Sequence, residues 1–360
     1  MLYFSTSKKF LLLIICLLGF FLALPNFWNV NIPFLPKQTI NLGLDLRGGS
    51  YLLLEVDTNS IKKDKAQSLV EDIRSSLRQE KIKYIGLKIL PSGAEVKIQD
   101  NLKLNDARKA IEALNNSTSA NIFNSRNSDE FSLDEEGGIF KITLNESSLN
   151  EKYRLAVSQS IEIIRRRIDG LGVTEPSIQR QGNNRILLEV PGLDDPQRLK
   201  DLLGQTAKLN FRMVDTSISV GEASRTRIPS RSEIIPDDDG FEYLVMKKVL
   251  VSGERLVDAQ ASFDATTNSP VVNFRFDTVG GKYFAKATSG NVGKPFAIIL
   301  DNKVISAPVI RSPILGGSGQ IEGGFSVEEA NNLAILLRAG ALPAPLEILE
   351  EKTIGPGLGE

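Results

Sequence analysis

The stretch that decides the fold is Ile161-Glu162-Ile163-Ile164-Arg165-Arg166-Arg167-Ile168-Asp169-Gly170-Leu171-Gly172. Upstream, Leu149, Tyr153, Ala156 and Val157 continue the same three-and-four spacing through Ile161, Ile164 and Ile168. The spacing predicts the longest amphipathic helix of the chain, closed by a glycine cap around Gly170-Leu171-Gly172. Both flanks of that helix read as strands. Ile139–Leu144 precedes it, and Ile178–Val190 follows as a hairpin turning at Gly182-Asn183-Asn184. Asp194 or Asp195, with Pro196 at the first helical position, then starts a helix bearing Leu199, Leu202 and Leu203. A strand over Ala207–Val214 completes this group.

An earlier group has the same order. Ile40–Val56 is strand-like, and Ala66, Leu69, Val70, Ile73 and Leu77 mark a helix with Asn59 or Ser60 as its N-cap. Tyr84–Leu90 and Ala94–Ile98 form a hairpin through Pro91-Ser92-Gly93, and Asp106 opens a short helix. Residues 115–137, rich in Asn, Ser, Asp and Glu, read as a surface excursion. Two strand-helix-strand-strand-helix groups predict an α+β base of two ferredoxin-like halves over 38–215. From Thr216 to Phe241 the composition turns polar, and 216–247 reads as a linker whose hinges include Pro236 and Gly240. A third α+β unit, the head, covers 248–340. It holds two hairpins, one turning at Asp301-Asn302, and a helix from Val327 opened by the capping box Ser326-Val327-Glu328-Glu329. Gly340, Pro343 and Pro345 then turn the chain outward and are the candidate hinges on exit. Residues 341–356 carry an alternating strand, Leu346–Ile354, that returns to the base and makes the head an insertion.

The amino terminus is of another kind. Phe10–Leu24 has no polar side chain apart from the Cys16 thiol, and no charge occurs from Phe10 through Pro36. Lys8 and Lys9 precede the run, and Phe27 and Trp28 follow it. Residues 5–28 therefore read as a membrane helix with the lysines inside and the bulk of the chain outside. The competing reading is a cleaved signal peptide, although Phe21-Leu22-Ala23-Leu24-Pro25 supplies no clean cleavage site.

Composition excludes much chemistry. The chain has no histidine among its 360 residues, which removes histidine triads, histidine-ligated zinc and histidine pH switching. One cysteine permits no intrachain disulfide or thiolate cluster. Lys+Arg 43 against Asp+Glu 44 argues against a dedicated nucleic-acid binder. The carboxylate runs Asp194-Asp195 and Asp237-Asp238-Asp239 sit at helix-start and turn positions that already explain them. No catalytic residue, metal or cofactor is expected. A membrane-tethered hydrolase would need a carboxylate pair facing a cleft, and only structural carboxylates are visible.

Three constellations stay open. In Asn41-Leu42-Gly43-Leu44-Asp45-Leu46-Arg47-Gly48-Gly49, Asp45 and Arg47 share a strand face, and Gly48-Gly49 allows a bulge or close backbone approach; an architectural ion pair or a ligand site both fit. Arg165-Arg166-Arg167 is either a solvated face, with Glu162 pairing Arg166, or a contact for an acidic partner or lipid. Phe263, Phe274 and Phe276 are either core or an apolar groove that holds unfolded polypeptide.

Five strings in order resemble the SecD family of bacterial protein export. They are Asn41–Leu54, Ile163–Pro176, Val190-Pro191-Gly192, Leu336–Pro345 and Glu351–Gly359. Within them Gly43, Asp45, Arg47, Gly48, Gly49, Arg165, Arg166, Arg167, Asp169, Gly170, Arg338, Gly340 and Pro343 are the family-motif positions, read as structural. The resemblance implies an inner-membrane protein with a periplasmic base and a mobile inserted head. It implies that preprotein is captured after SecA and the SecYEG translocon begin its passage, and is pulled at the expense of the proton motive force, with SecF and YajC as partners. A scaffold that stabilises SecYEG without touching cargo is the alternative. The family carries six membrane helices with its proton-linked aspartate in a later one. No second apolar run occurs in this chain, so it is expected to be a fragment or to be completed by separate polypeptides.

Overall fold

A computed structural model describes residues 6–23, 48–117, 129–173, 176–193 and 195–354. Gly43, Asp45 and Arg47 therefore lie outside the described residues. Helix α1 (Thr6–Ala23) is apolar on all sides from Phe10 onward, and its side chains through Phe20 are exposed. Among the described residues no helix is long and apolar enough to cross a membrane.

Along the chain follow β1 (Gly49–Val56), α2 (Thr58–Gln79), β2 (Tyr84–Leu90), β3 (Gly93–Ile98), α3 (Leu104–Ser117), β4 (Phe131–Glu136), β5 (Ile139–Leu144), α4 (Glu146–Gly170), β6 (Ser177–Gln181), β7 (Arg185–Pro191) and α5 (Pro196–Gly204). Next come β8 (Leu209–Val214), α6 (Val220–Arg225), β9 (Ser232–Pro236), β10 (Glu242–Ser252), β11 (Leu256–Phe263), β12 (Pro270–Phe276) and α7 (Thr278–Ser289). The chain ends its described course with β13 (Phe296–Leu300), β14 (Lys303–Ser306), β15 (Ser318–Ile321), α8 (Val327–Ala339) and β16 (Leu346–Ile354).

The base is two four-stranded sheets, ordered β16-β1-β7-β6 and β2-β3-β5-β4, every neighbouring pair antiparallel. The mixed α+β character matches expectation, but the grouping of strands does not. The strand expected to open the first group, β1, lies between β16 and β7, and the one expected to open the second, β5, lies between β3 and β4. Each sheet thus takes its inner strand from the other's stretch of sequence. Burial dictates this: Leu52, Leu54 and Val56 pack with Ile164, Ile168, Ile186 and Leu188, whereas Phe140 and Ile142 pack with Ile73, Leu77 and Val96. Helix α2 is capped by Asp57, whose carboxylate accepts from the Asn59 amide at 2.9 Å, rather than by Asn59 or Ser60.

Part of the expected surface excursion is strand β4, paired with β5. Its Asp134, Glu135 and Glu136 suit an edge, where charge discourages pairing with another chain. The expected linker over 216–247 is also structured. It holds α6, β9 and the first half of β10, while β8, assigned by sequence to the base, sits centrally in the five-stranded sheet β14-β13-β8-β10-β9. A second head sheet, β11-β12-β15, faces it. Between the two lie Phe211, Phe274, Phe276, Phe284 and Phe296, several of them edge to face at 5.3 to 6.2 Å between ring centroids.

Candidate functional site

The chain leaves the base after α5 and returns to it after α8, so the covalent path between base and head is two short connectors. They touch. The Leu342 amide donates to the Thr206 carbonyl at 2.8 Å, and the Asp57 amide donates to the Pro345 carbonyl at 3.0 Å. Leu202, Ala207 and Leu336, with Leu171 and Leu300 against them, form a small apolar core at the crossing. Helix α8 belongs to the head yet rests on α4: a Cβ on Gly170 would lie 2.9 Å from the Ile335 side chain. Gly170 is therefore a packing glycine. The left-handed cap residue is Gly172, at φ +78°.

Arg167 is fully buried beside that crossing. Its Nη1 donates to the carbonyls of Leu202 at 2.5 Å and Gln205 at 2.6 Å, and its Nη2 to those of Thr206 at 3.3 Å and Gly340 at 3.4 Å. Those carbonyls lie at the carboxyl ends of α5 and α8, and Arg167 itself is in the last turn of α4. Three helix ends with orphan carbonyls and negative dipole poles converge on one cation. This convergence accounts for a buried guanidinium that takes main-chain acceptors only, an arrangement unusual for a charged group. Burial pulls its pKa down to about 10, opposed by the Asp301 carboxylate, so it stays charged at neutral pH.

From the head side Asp301 completes the crossing. It sits with Asn302 at φ +47° and +66° in the β13–β14 turn. Its carboxylate accepts from the amides of Ala207 and Lys208, both at 2.8 Å, and from the Thr206 hydroxyl. The inbound connector is thus held by its carbonyls on Arg167 and by its amides on Asp301. Arg198 of α5 donates to the Asn332 side chain of α8 at 2.9 and 3.0 Å, a further tie between base and head.

Beside the crossing opens a cleft of about 730 Å³. One wall is a stripe of α4, Leu155, Gln159, Glu162, Ile163 and Arg166; the other is Lys208, Asn210, Ser252 and Glu254, and Leu342-Pro343 forms the floor. Leu155 is 57% exposed, an apolar side chain without a core to enter. The mixture of apolar surface with both signs of charge can hold extended polypeptide. Among the described residues no cluster could hold a metal ion.

Arg167 departs from the sequence expectation for the arginine run. Arg165 and Arg166 are exposed, while Arg167 turns inward. The signal was available: Arg167 follows Ile164 by three and precedes Leu171 by four, placing it on the apolar stripe. In the sequence Asp301 is legible only as a turn residue. Phe274 and Phe276 are core side chains, 4% and 5% exposed, and are thereby corrected as groove candidates; their rings pack on Phe211. Phe263 is 54% exposed at the end of β11. Pro236 and Gly240 lie at the β9–β10 hairpin inside the head, where Pro236 pairs with Glu242, so no base-to-head connection passes through them. Gly340, Pro343 and Pro345 do lie on the outbound connector. Asp169 and Arg338 are exposed. Gly48 and Gly49 adopt φ +68° and +140°, and a Cβ on Gly49 would fall 2.3 Å from the Val190 carbonyl oxygen, so only glycine fits there.

Three family profiles match parts of the chain. Residues 231–344 match "SecDF, P1 head subdomain", 157–216 match "Protein translocase subunit SecDF, P1 domain, N-terminal", and 34–60 match "SecD/SecF GG Motif". The Rickettsia bellii protein translocase subunit SecD is 42% identical over 352 residues, covering 98% of this chain and 66% of its own length. That of Acetobacter pasteurianus is 43% identical over 361 residues, covering 99% and 67%. A crystal structure of SecDF in a super-membrane-facing form superposes with a TM-score of 0.50 at 28% identity, covering 97% of this chain and 36% of that one. The chain spans about two thirds of the length of the relatives it matches. With those identities sustained from end to end, this chain belongs to the SecD family of protein translocase subunits.

Proposed function

We propose that this chain is the cargo-handling part of an auxiliary Sec export subunit. Residues 5–28 anchor it in the inner membrane with the lysines on the cytoplasmic side, and the base and head stand in the periplasm. The apolar run from Phe10 to Leu24, exposed in α1 through Phe20 and preceded by Lys8 and Lys9, supports the anchor. The base is read as two ferredoxin-like halves. The head grips preprotein emerging from SecYEG after SecA has started it, and moves it outward. The proton motive force drives this when further membrane helices, SecF and YajC complete the machine. Action is mechanical, without a catalytic group or cofactor.

The observation that carries this reading is the separately cored head, reached by two touching connectors, with an open cleft against the base. A body on a narrow attachment can change its angle while both cores persist. The test is site-specific photocrosslinking from Leu155, Glu254 and Phe263 to a stalled export intermediate in membranes carrying the complete translocase. Crosslinks from the cleft pair are expected. Their absence, with SecYEG still stabilised by the subunit, would favour a scaffold, a reading supported by how firmly Arg167 and Asp301 hold the connectors.

A further inference from the structure

We propose that Arg167 is the pin that fixes the posture of the head on the base. It acts by binding the inbound and outbound connectors to each other and to α4. Of the four acceptors it holds, Leu202 is in the last turn of α5, Gln205 and Thr206 are on the inbound connector, and Gly340 is on the outbound one. Connectors bound to one rigid fork must move together, whereas two independent connectors allow the head to twist and tilt separately. The fork is essential. One Nη reaches the end of α5, and the other bridges Thr206 and Gly340, a geometry that a single ammonium cannot reproduce. Asp301 ties the inbound connector to the head alone, and the Leu342 amide on the Thr206 carbonyl joins the connectors without reaching α4; the remaining side-chain contacts across the crossing are weaker as a lock. Arg198 to Asn332 lies on a part-exposed face, and the Lys208–Asp64 pair, at 3.3 Å, is solvated on both sides. The Leu202–Ala207–Leu336 core is non-directional, so it resists separation of the head more than rotation.

The apolar cores of base and head are each built without Arg167, so its conformational role can be separated from a contribution to folding by measurement. The aromatic core of the head draws on residues from Leu209 to Leu337, and the sheet containing β1 closes on Leu52, Leu54, Ile186 and Leu188. The inference rests on the junction geometry alone and requires no cargo, so it can fail while the export reading stands, and the reverse.

The experiment uses the full 360-residue chain in nanodiscs with Cys16→Ser, so that introduced cysteines are the only thiols. Spin labels at Gln181 on β6 and Val292 after α7 report base-to-head distance; labels at Ala265 and Val292 report the head alone. All three sites are exposed. Arg167→Met keeps bulk and removes the fork; it is expected to widen the Gln181–Val292 distance distribution at least twofold and leave Ala265–Val292 unchanged. Arg167→Lys, which keeps the charge, is expected to widen it by a smaller factor, and it carries the test if the Met variant does not accumulate. Wild-type width in both variants would overturn the proposal. So would equal widening of both label pairs, which would make Arg167 a general stabiliser of the fold.

Discussion

The base and the head solve the same problem, burying one face of a sheet, with opposite use of the chain. The head is local. Its core comes from one continuous stretch, Leu209 to Leu337, and its five phenylalanines arrive from neighbouring strands and one helix. The base is not. Gly49 pairs with Pro191 on one side and Ile354 on the other, so its sheet closes only when both ends of the body are in place. Long-range pairing forms late and is rewarded only after loop closure has been offset. The difference predicts that the head unfolds as a unit, whereas the base is held by its most distant residues.

The strongest way to break the comparison is Phe211→Ala. Phe211 is fully buried and touches Phe274, Phe276, Phe284 and Phe296. The expected loss is about 3–5 kcal/mol. It should be confined to the head, so that hydrogen exchange accelerates in β11 and β12 while β2–β5 keep their protection. Acceleration everywhere would mean that the two regions unfold as one. Gly49→Ala probes the other side. Its Cβ would meet the Val190 carbonyl at 2.3 Å with φ at +140°, for an expected cost of about 2 kcal/mol. Protection should drop in β1, β7 and β16 and hold in the head.

Acid sharpens the contrast with a smaller effect. In the head, Asp215 is held below the usual carboxylate range by the Ser217 and Ser232 hydroxyls, Asp277 by the Gly280 amide and Glu329 by the Ser326 amide. A carboxyl depressed by folding contributes stability above its unfolded pKa of about 4 and loses it as pH falls through the folded value. In the base, Glu130 is lowered as well: burial opposes, but Lys65 and Lys152 outweigh it. Titration from about pH 5 to pH 2 should therefore lower the melting temperature of the head more than that of the base. The reverse order would show that the base pairs dominate.

Much of the secondary structure was legible because its causes are short-ranged. The three-and-four spacing from Leu149 to Ile168 gives α4, Ser326 and Glu329 form the capping box of α8, and Asp301-Asn302 turns where such a pair should. Strand β4 escaped because Asp134, Glu135 and Glu136 hide its alternation. The polar stretch from Thr216 looks like a linker because the segments before β9 and between β9 and β10 are polar, yet Ile235, Leu244 and Val245 are buried. Of the site, the family strings gave the arginine run and Gly340, but no local pattern joins Arg167 to Leu202, Gln205, Thr206 and Gly340.

By itself the sequence determined which residues coil, extend, cap and turn, and it carried the strings that place the chain in its family, because backbone preference and periodicity act over a few residues. Only the tertiary structure decided that β1 and β5 sit in each other's expected sheets, that the head begins at β8, and that one arginine of three goes inside. Those outcomes depend on the pairing of apolar faces far apart in the chain. They depend also on three helix ends meeting at one point, where their combined partial charge makes a buried cation stable.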